Sequence, residues 1–350
     1  MASLTDWFGG HMAAVLWGGA LLGLLYGLVA QWSRFCLVRG LFNHWHGNDS
    51  RLLRAFALAM AVALLASQSM VQLGWLSLER TIYTPANPVL PLIFIGGLLF
   101  GVGMTFANAC GARSLVLLGS GNLRSLVVLL VLGITAYMTL SGLLATVRLY
   151  LENLLRLPVP ASTLPGLLAS LGLPSAPAYW LSLLGLSSLL LWFSLGHRPF
   201  RQSRKDWLGG LVIGLLVAGG WWVTGVLGAD DFEPVRLASL TFVAPIGESL
   251  QYLMLSTGSR LSFAVVVVAG ILLGSLARAL FAGEFQWQSY ESPRQMGKGL
   301  IGGVLMGFGG IIALGCTLGQ GLTGFSTLAL SSLVALLGIT LGARLGFRWR

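Results

Sequence analysis

Two stretches of this chain repeat each other: IGGLLFGVGMTFANACG (Ile95–Gly111) and IGGVLMGFGGIIALGCT (Ile301–Thr317). Both are apolar and rich in glycine, each has a cysteine as its penultimate residue, and they align at one constant offset (301 − 95 = 206). The aligned glycines and cysteines are Gly96 with Gly302, Gly97 with Gly303, Gly101 with Gly307, Gly103 with Gly309 and Cys110 with Cys316. Small residues at four-residue spacing let helices pack closely inside a membrane. The repetition predicts a protein built from two similar halves of tightly packed helices.

The similarity extends on both sides of these stretches. SLVVLLVLGIT (Ser125–Thr135) resembles SLVALLGIT (Ser332–Thr340), and WGGALLGLL (Trp17–Leu25) resembles LGGLVIGLL (Leu208–Leu216). The expected organisation has three parts: a first half over residues 1–147, a linker with a connector span and a basic loop over 148–206, and a second half over 207–350.

The composition places the chain in a membrane. Only 9% of its 350 residues are Asp, Glu, Lys or Arg, against about 25% in an average soluble protein, and the mean hydropathy is +0.83. A chain with so few charges cannot cover a water-soluble domain of this size. The composition therefore excludes an ordinary cytoplasmic enzyme, a disordered protein and a nucleic-acid-binding protein. The 48 glycines, 48/350 ≈ 14%, are again typical of packed membrane helices.

A helix needs about 20 apolar residues to cross a bilayer. The sequence predicts an all-α polytopic protein with nine such helices and short re-entrant half-helices between some of them. The predicted spans are 11–33, 52–73, 90–109, 124–147, 178–196, 207–227, 261–282, 298–315 and 328–346.

The net charge is +10. Because Lys and Arg concentrate on the cytoplasmic side of membrane proteins, their distribution along the chain indicates its orientation. Basic residues cluster in segments 34–54, 197–206 and 344–350. These segments are consistent with an external N-terminus and a cytoplasmic C-terminus. Spans one and six, which resemble each other, then enter from opposite sides, so the sequence predicts an inverted repeat.

Four apolar segments are too short to cross: Ser33–Phe42, Cys110–Ser120, Leu237–Thr257 and Cys316–Thr327. Short or interrupted apolar segments in corresponding places of two halves are the best sequence indication of a transporter's binding site. We therefore expect the functional site where these segments meet.

Cys36, Cys110 and Cys316 stand at or near the beginning of three of these segments. Three cysteines do not form a disulfide framework, and the sequence shows no cluster of metal ligands around them, so we expect neither a metal nor a cofactor. A thiol buried in apolar surroundings stays protonated, and a neutral S–H group can donate weakly to an anion. Thiol exchange assisted by Arg34 or Arg113 remains the alternative chemistry.

Other polar residues lie in the same segments. Arg34 and Arg113 either bind an anion or anchor the chain at the cytoplasmic face. Asn108, Thr317 and Gln320 offer uncharged donors. An ionisable residue inside a membrane is a functional candidate by default, and Glu248 is one; it either pairs with an arginine such as Arg260 or takes part in proton coupling.

Four motifs resemble the YeeE/YedE family of bacterial inner-membrane sulphur transporters. They are SRFC (Ser33–Cys36), NACGARSLVLLGSGNLRSLVVL (Asn108–Leu129), TFVAPIGESLQYL (Thr241–Leu253) and GCTLGQGLTG (Gly315–Gly324). The order and spread of the motifs cover most of the chain. The last motif departs from many relatives, because Gln320 stands where a histidine is expected.

The resemblance implies a nine-span fold with re-entrant half-helices and uptake of thiosulfate across the inner membrane. It implies that Cys36, Cys110 and Cys316 relay the ion by S–H···S hydrogen bonds, and that a small cytoplasmic sulphur-carrier protein, similar to TusA, takes the thiosulfate on. Three alternatives stay open: a transporter of another sulphur or selenium species, an intramembrane thiol oxidoreductase, and a purely structural membrane protein.

Overall fold

A computed structural model describes residues 10–79, 81–230 and 235–349 of the chain. Within these ranges the regular structure is helical, and β-pairing is limited to isolated bridges. The helices of the first part are α1 His11–Ser33, α2 Leu37–His46, α3 Arg51–Gln72, α4 Leu90–Phe106, α5 Gly111–Gly119 and α6 Leu123–Leu140. The linker and connector contain α7 Ala145–Leu154, α8 Leu164–Ser170, α9 Ser175–Leu195 and α10 Arg198–Gln202.

The remaining helices follow the same succession of long and short elements. They are α11 Arg204–Trp222, α12 Val243–Met254, α13 Phe263–Phe281, α14 Pro293–Ile312 and α15 Leu330–Arg348. A π-helical turn, Val223–Leu227, extends α11, and between α14 and α15 lie a π-helical segment, Gly319–Gly324, and a 3₁₀ turn, Phe325–Thr327.

The expectation of nine spans is confirmed for the part of the chain that the structure describes. Nine of its helical stretches are long and apolar enough to cross a membrane, and they fall at the expected places. The short helices α2 and α5 continue two of these stretches after a break. With 10, 9 and 12 residues, α2, α5 and α12 are too short to cross alone.

The predicted fourth span, 124–147, is too long at its C-terminal end, because α6 ends at Leu140. Arg148, which lies in the following helix α7, binds the C-terminal end of α6. Its Nε donates to the carbonyl oxygen of Thr139 at 3.1 Å, and its Nη1 pairs with Glu152 Oε1 at 2.6 Å. A cation that binds the last carbonyls of a helix caps it, so the chain turns there and α7 runs separately.

The long helices pack in matching pairs. Helix α1 packs on α13 and α3 on α11, while α4 packs on α15 and α14 on α6. Two further contacts join α1 with α11 and α4 with α14. The connector α9 lies against α3.

The contact between α4 and α14 brings the two backbones close together at glycines. A Cβ atom placed on Gly103 would lie 2.8 Å from the carbonyl oxygen of Gly302, and one on Gly302 would lie 2.7 Å from that of Gly103. Gly96 and Gly309 show the same reciprocal relation, with 2.8 and 2.6 Å. Because the residue number rises along one helix as it falls along the other, the two helices are antiparallel. The repeated glycines are thus required by close approach.

Candidate functional site

The three cysteines occupy the same local structure. Each directly precedes a short helical segment: Cys36 precedes α2, Cys110 precedes α5 and Cys316 precedes the segment that begins at Thr317. Each cysteine carbonyl accepts a hydrogen bond from the N–H group four residues on, at 3.0, 2.9 and 2.8 Å in chain order. This is the geometry of a helix N-cap. The three thiols therefore sit where helical N–H groups leave a partial positive charge.

A left-handed residue stands two positions before each cysteine. These residues and their φ angles are Arg34 (55°), Asn108 (60°) and Leu314 (60°). A residue with positive φ ends a helix, and a bulky leucine in that conformation is strained. Two predicted site residues, Arg34 and Asn108, thus shape the turn that presents a thiol.

The cysteines share one buried region. Relative exposure is 7% for Cys36, 2% for Cys110 and 0% for Cys316, and all three are free thiols. Cys110 lies within electrostatic range of both other cysteines. Tyr26, from the middle of α1, is 1% exposed and lies within electrostatic range of all three. Because Tyr26 lies within an apolar helix, no sequence pattern indicated that it belongs to the site.

Backbone N–H groups surround the sulfur of Cys316. Gly319 N donates to its Sγ at 3.3 Å, and the N–H groups of Leu318 and Phe242 also point to it. Phe242 is the N-cap residue of α12, so the beginnings of two short helical segments converge on one thiol. The motif that contains Gly315–Gly324 therefore surrounds this sulfur with donors.

Two predicted polar residues follow Cys316. Thr317 is fully buried, its hydroxyl has no hydrogen-bond partner of good geometry among the described residues, and it interacts with the thiol of Cys110. Gln320 is also buried, but its amide is occupied: Nε2 donates to the carbonyl oxygen of Ala313, and Oε1 accepts from Ser332 Oγ at 2.6 Å. Thr317 is available to a ligand, whereas Gln320 holds the turn that carries Cys316.

The two predicted arginines differ in their surroundings. Arg113 is 8% exposed, donates from Nη1 to the carbonyl oxygen of Ala30 at 3.1 Å, and lies within electrostatic range of Cys36 and Cys110. The Arg34 side chain is more than half exposed, and its Nη2 lies 3.8 Å from Glu284 Oε1. Only Arg113 therefore belongs to the thiol region.

Glu248 belongs to a different contact. Its Oε1 accepts a hydrogen bond of 2.5 Å from Ser262 Oγ, which joins α12 to the N-cap of α13. The ion pairs found within residues 10–79, 81–230 and 235–349 do not include the predicted pair of Glu248 with Arg260. Neither do these residues hold a cluster of possible metal ligands.

A polar cavity of about 710 Å³ opens beside Cys36. Cys36, Asn108 and Arg113 line it, together with four residues that sequence reasoning did not assign to the site: Arg39, Arg124, Tyr290 and Lys298. Arg124 donates to Glu291 Oε1 at 2.6 Å, and this hydrogen bond holds the pKa of the Glu291 carboxyl below its usual range. Partial burial raises the pKa of Tyr290. Of the three cations, only Arg39 entered the sequence analysis, as part of a basic segment that indicates orientation.

A tyrosine covers the far side of Cys316. Tyr83 is 2% exposed, stacks edge-on against Trp221, and its backbone carbonyl accepts from Ser331 Oγ at 2.6 Å. Its hydroxyl hydrogen-bonds to Thr241 and lies within electrostatic range of both Cys316 and the exposed Arg236. Tyr83 thus packs on the segment that follows Cys316, where its atoms lie close to Gly319 and Gly324. It lies in the loop between α3 and α4, where no sequence pattern marked it.

Together, the fold and the site define a multi-pass membrane protein that holds three thiols in a buried polar region. Comparison with protein families agrees with this class: the family described as sulphur transport matches residues 32–345. The chain belongs to that family, as the YeeE/YedE motifs predicted.

Two relatives match nearly the whole chain. The thiosulfate transporter TsuA of Spirochaeta thermophila is 28% identical over 336 residues, which cover 94% of this chain and 97% of the relative. The thiosulfate transporter TsuA of Escherichia coli K12 is 26% identical over 350 residues, which cover 95% and 93%. A sulphur-transporting membrane protein is the class to which this chain belongs.

Proposed function

We propose that this protein takes up thiosulfate through the inner membrane of a bacterium, and that Cys36, Cys110 and Cys316 pass the ion along by S–H···S hydrogen bonds. The observation that carries the proposal is the shared geometry of the three thiols at helix N-caps in one buried region. The names and the near-complete coverage of the two relatives support the choice of thiosulfate.

The chemistry follows from the donors available. An S–H group is a weak donor, and the partial positive charge of a helix N-terminus attracts an anion without binding it as firmly as a full charge. Permeation requires sites that bind strongly enough to admit the ion and weakly enough to release it. Successive thiols at helix N-caps meet both requirements, and Thr317 adds an uncharged hydroxyl next to Cys110. The reaction involves no covalent change, so the protein acts as a transporter and not as an enzyme.

Uptake of labelled thiosulfate by an uptake-deficient strain tests the relay. We expect Cys36→Ala, Cys110→Ala and Cys316→Ala each to reduce uptake to the background of the empty strain, while the amount of protein in the membrane stays unchanged. Ser187→Ala is the control, because Ser187 is also a small buried residue but lies on the connector α9. Normal uptake by the three alanine variants would refute the relay.

The same assay tests the cargo. Unlabelled sulfite, sulfide, sulfate and selenium analogues are added in excess to the wild-type strain. If only unlabelled thiosulfate competes with the labelled ion, the proposed substrate is supported. If a selenium species competes more strongly, the transported compound is a selenium species.

We further propose that the chain is an inverted repeat with the N-terminus outside and the C-terminus in the cytoplasm, with halves 1–147 and 207–350 joined by residues 148–206. The antiparallel contact of α4 and α14 supports this, since these helices carry the repeated stretches. The matching pairs α1–α13 and α11–α3, and α4–α15 and α14–α6, are the contacts that a two-fold relation produces. Protease protection of tags at the two termini tests it: only one tag should be cut from each side of the membrane.

Finally, we propose that a small sulphur-carrier protein receives the ion at the cytoplasmic face. The polar cavity at Cys36 supports a release point on the side that carries the basic segments. Purified carrier trapped inside proteoliposomes should increase the amount of thiosulfate accumulated. Equal accumulation with and without the carrier would contradict the partnership.

A further inference from the structure

Two arginines take the same place relative to two of the thiols. Arg39 lies three residues after Cys36, and Arg113 lies three residues after Cys110. Both are in the first turn of their half-helices, α2 and α5, and both line the cavity of about 710 Å³. Three residues after Cys316 stands Gly319, where a Cβ atom would come within 2.6 Å of Thr241 Oγ1. The charged pair is therefore confined to the Cys36 end of the thiol region.

The two guanidinium groups are close enough to repel each other. Arg39 acts on Arg113 as a like charge, and Cys36 lies within range of Arg113. Among the described residues that line this cavity there is no Asp or Glu, and neither arginine forms an ion pair within the described ranges. Arg113 is more than nine-tenths buried and uses one nitrogen for the carbonyl oxygen of Ala30. A second charge of the same sign beside a buried guanidinium is unfavourable unless an anion lies with them.

The chemistry of the pair identifies the ligand class. A guanidinium group binds two oxygens of a carboxylate, phosphate or sulfate type of anion with parallel N–H···O bonds. A guanidinium group has no feature that distinguishes a terminal sulfur of such an anion from a terminal oxygen. The first N–H groups of α2, which a helix leaves without internal partners, and the side chain of Asn108 add uncharged donors along the same wall.

We propose that Arg39 and Arg113 form a second anion site at the inner end of the path, which binds the oxygens and the charge of a tetrahedral sulphur oxyanion. This site rests on the proposed function, since thiosulfate that leaves Cys36 is its first ligand. It differs from the relay in selectivity: the thiols select for the terminal sulfur, whereas the arginine pair accepts sulfate equally well. Sulfate is therefore a ligand of this site and not a substrate of the relay.

Binding of inorganic sulfate to the full-length protein in detergent tests the proposal. We expect sulfate to raise the melting temperature of the wild type and of the Cys110→Ala variant alike. Arg39→Gln and Arg113→Gln should each weaken sulfate binding about tenfold or more, because each removes one charge-assisted contact. Arg198→Gln is the matched control, because Arg198 is an exposed arginine of the short helix α10. It should leave sulfate binding unchanged.

The outcomes separate this site from the relay. If Arg39→Gln and Arg113→Gln bind sulfate as well as the control Arg198→Gln does, the proposed site is wrong. This conclusion does not depend on how the cysteine variants behave in transport. Loss of sulfate binding in the arginine variants would uphold the site even if the cysteine variants transport normally. Should Arg113→Gln fail to fold, because of its burial, the exposed Arg39 still decides the matter. Arg39→Lys, which keeps the charge and loses the paired N–H groups, should restore part of the affinity.

Discussion

Cys36 and Cys316 show what surroundings do to one shared geometry. Both are N-cap residues that follow a left-handed residue two positions earlier. Cys36 lies against a polar cavity that contains arginines, whereas Cys316 has no exposed surface and is surrounded by backbone N–H groups. The Cys36 end of the thiol region adjoins a cavity, whereas Cys316 is fully buried, and we call these the open end and the closed end. Charged side chains surround the thiol at the open end, whereas backbone N–H groups surround the thiol at the closed end.

The largest expected effect concerns access to the two thiols. In single-cysteine variants, a small membrane-permeant thiol reagent should modify Cys36 about 100-fold faster than Cys316, since reactivity depends on exposure as well as on thiolate content. Mass spectrometry of the intact protein measures both rates. Equal rates would mean that the two ends are equally open and would remove the basis of the comparison.

The next effect tests what closes the Cys316 end. Tyr83→Ala removes a buried ring that packs on the segment after Cys316. The space left by a deleted aromatic side chain should raise the modification rate of Cys316 about tenfold. Tyr150→Ala is the control, because Tyr150 is an exposed tyrosine on α7. If Tyr83→Ala and Tyr150→Ala behave alike, Tyr83 does not close the path.

A smaller effect is expected between the two ends. Thr317→Val keeps the shape of the side chain and removes the hydroxyl that faces Cys110. A hydrogen bond contributes about 1 kcal/mol, so thiosulfate uptake should fall about fivefold. Thr317→Ser should keep most of the activity because the hydroxyl remains. Uptake by Thr317→Val at the wild-type rate would show that the hydroxyl takes no part.

The smallest expected effect is a change in sulfate affinity that depends on Glu291, beside the cavity at the open end. Glu291 is exposed and pairs with Arg124, which lowers the pKa of the carboxyl. As the pH falls through this lowered pKa, the carboxyl is protonated and Arg124 is released toward the cavity. Sulfate affinity should therefore rise slightly at low pH, and Glu291→Gln should raise it about twofold at neutral pH, since exposed ion pairs are weak. A pH response that persists in Glu291→Gln would assign it to another group.

The sequence was sufficient to predict the parts of this site that follow from composition and repetition. Apolar length predicted the nine spans, and the position of Cys36, Cys110 and Cys316 at breaks between apolar segments predicted their common setting. Arg113 was predicted as a possible anion ligand, whereas Arg39 was interpreted only as part of a basic segment that indicates orientation. Contacts between distant segments left no such pattern: Tyr83, Tyr26 and the occupied amide of Gln320 become meaningful only when the helices are packed.

The glycine contact between α4 and α14 limits how the molecule can move. Where Gly103 meets Gly302, and again where Gly96 meets Gly309, the helices approach so closely that an added Cβ atom would lie within 3 Å of a facing carbonyl oxygen. A shift of one helical turn, about 5.4 Å, would drive neighbouring Cβ atoms into backbone carbonyls. We therefore expect α4 and α14 to move as one unit. Any movement of one of these helices should carry the other with it.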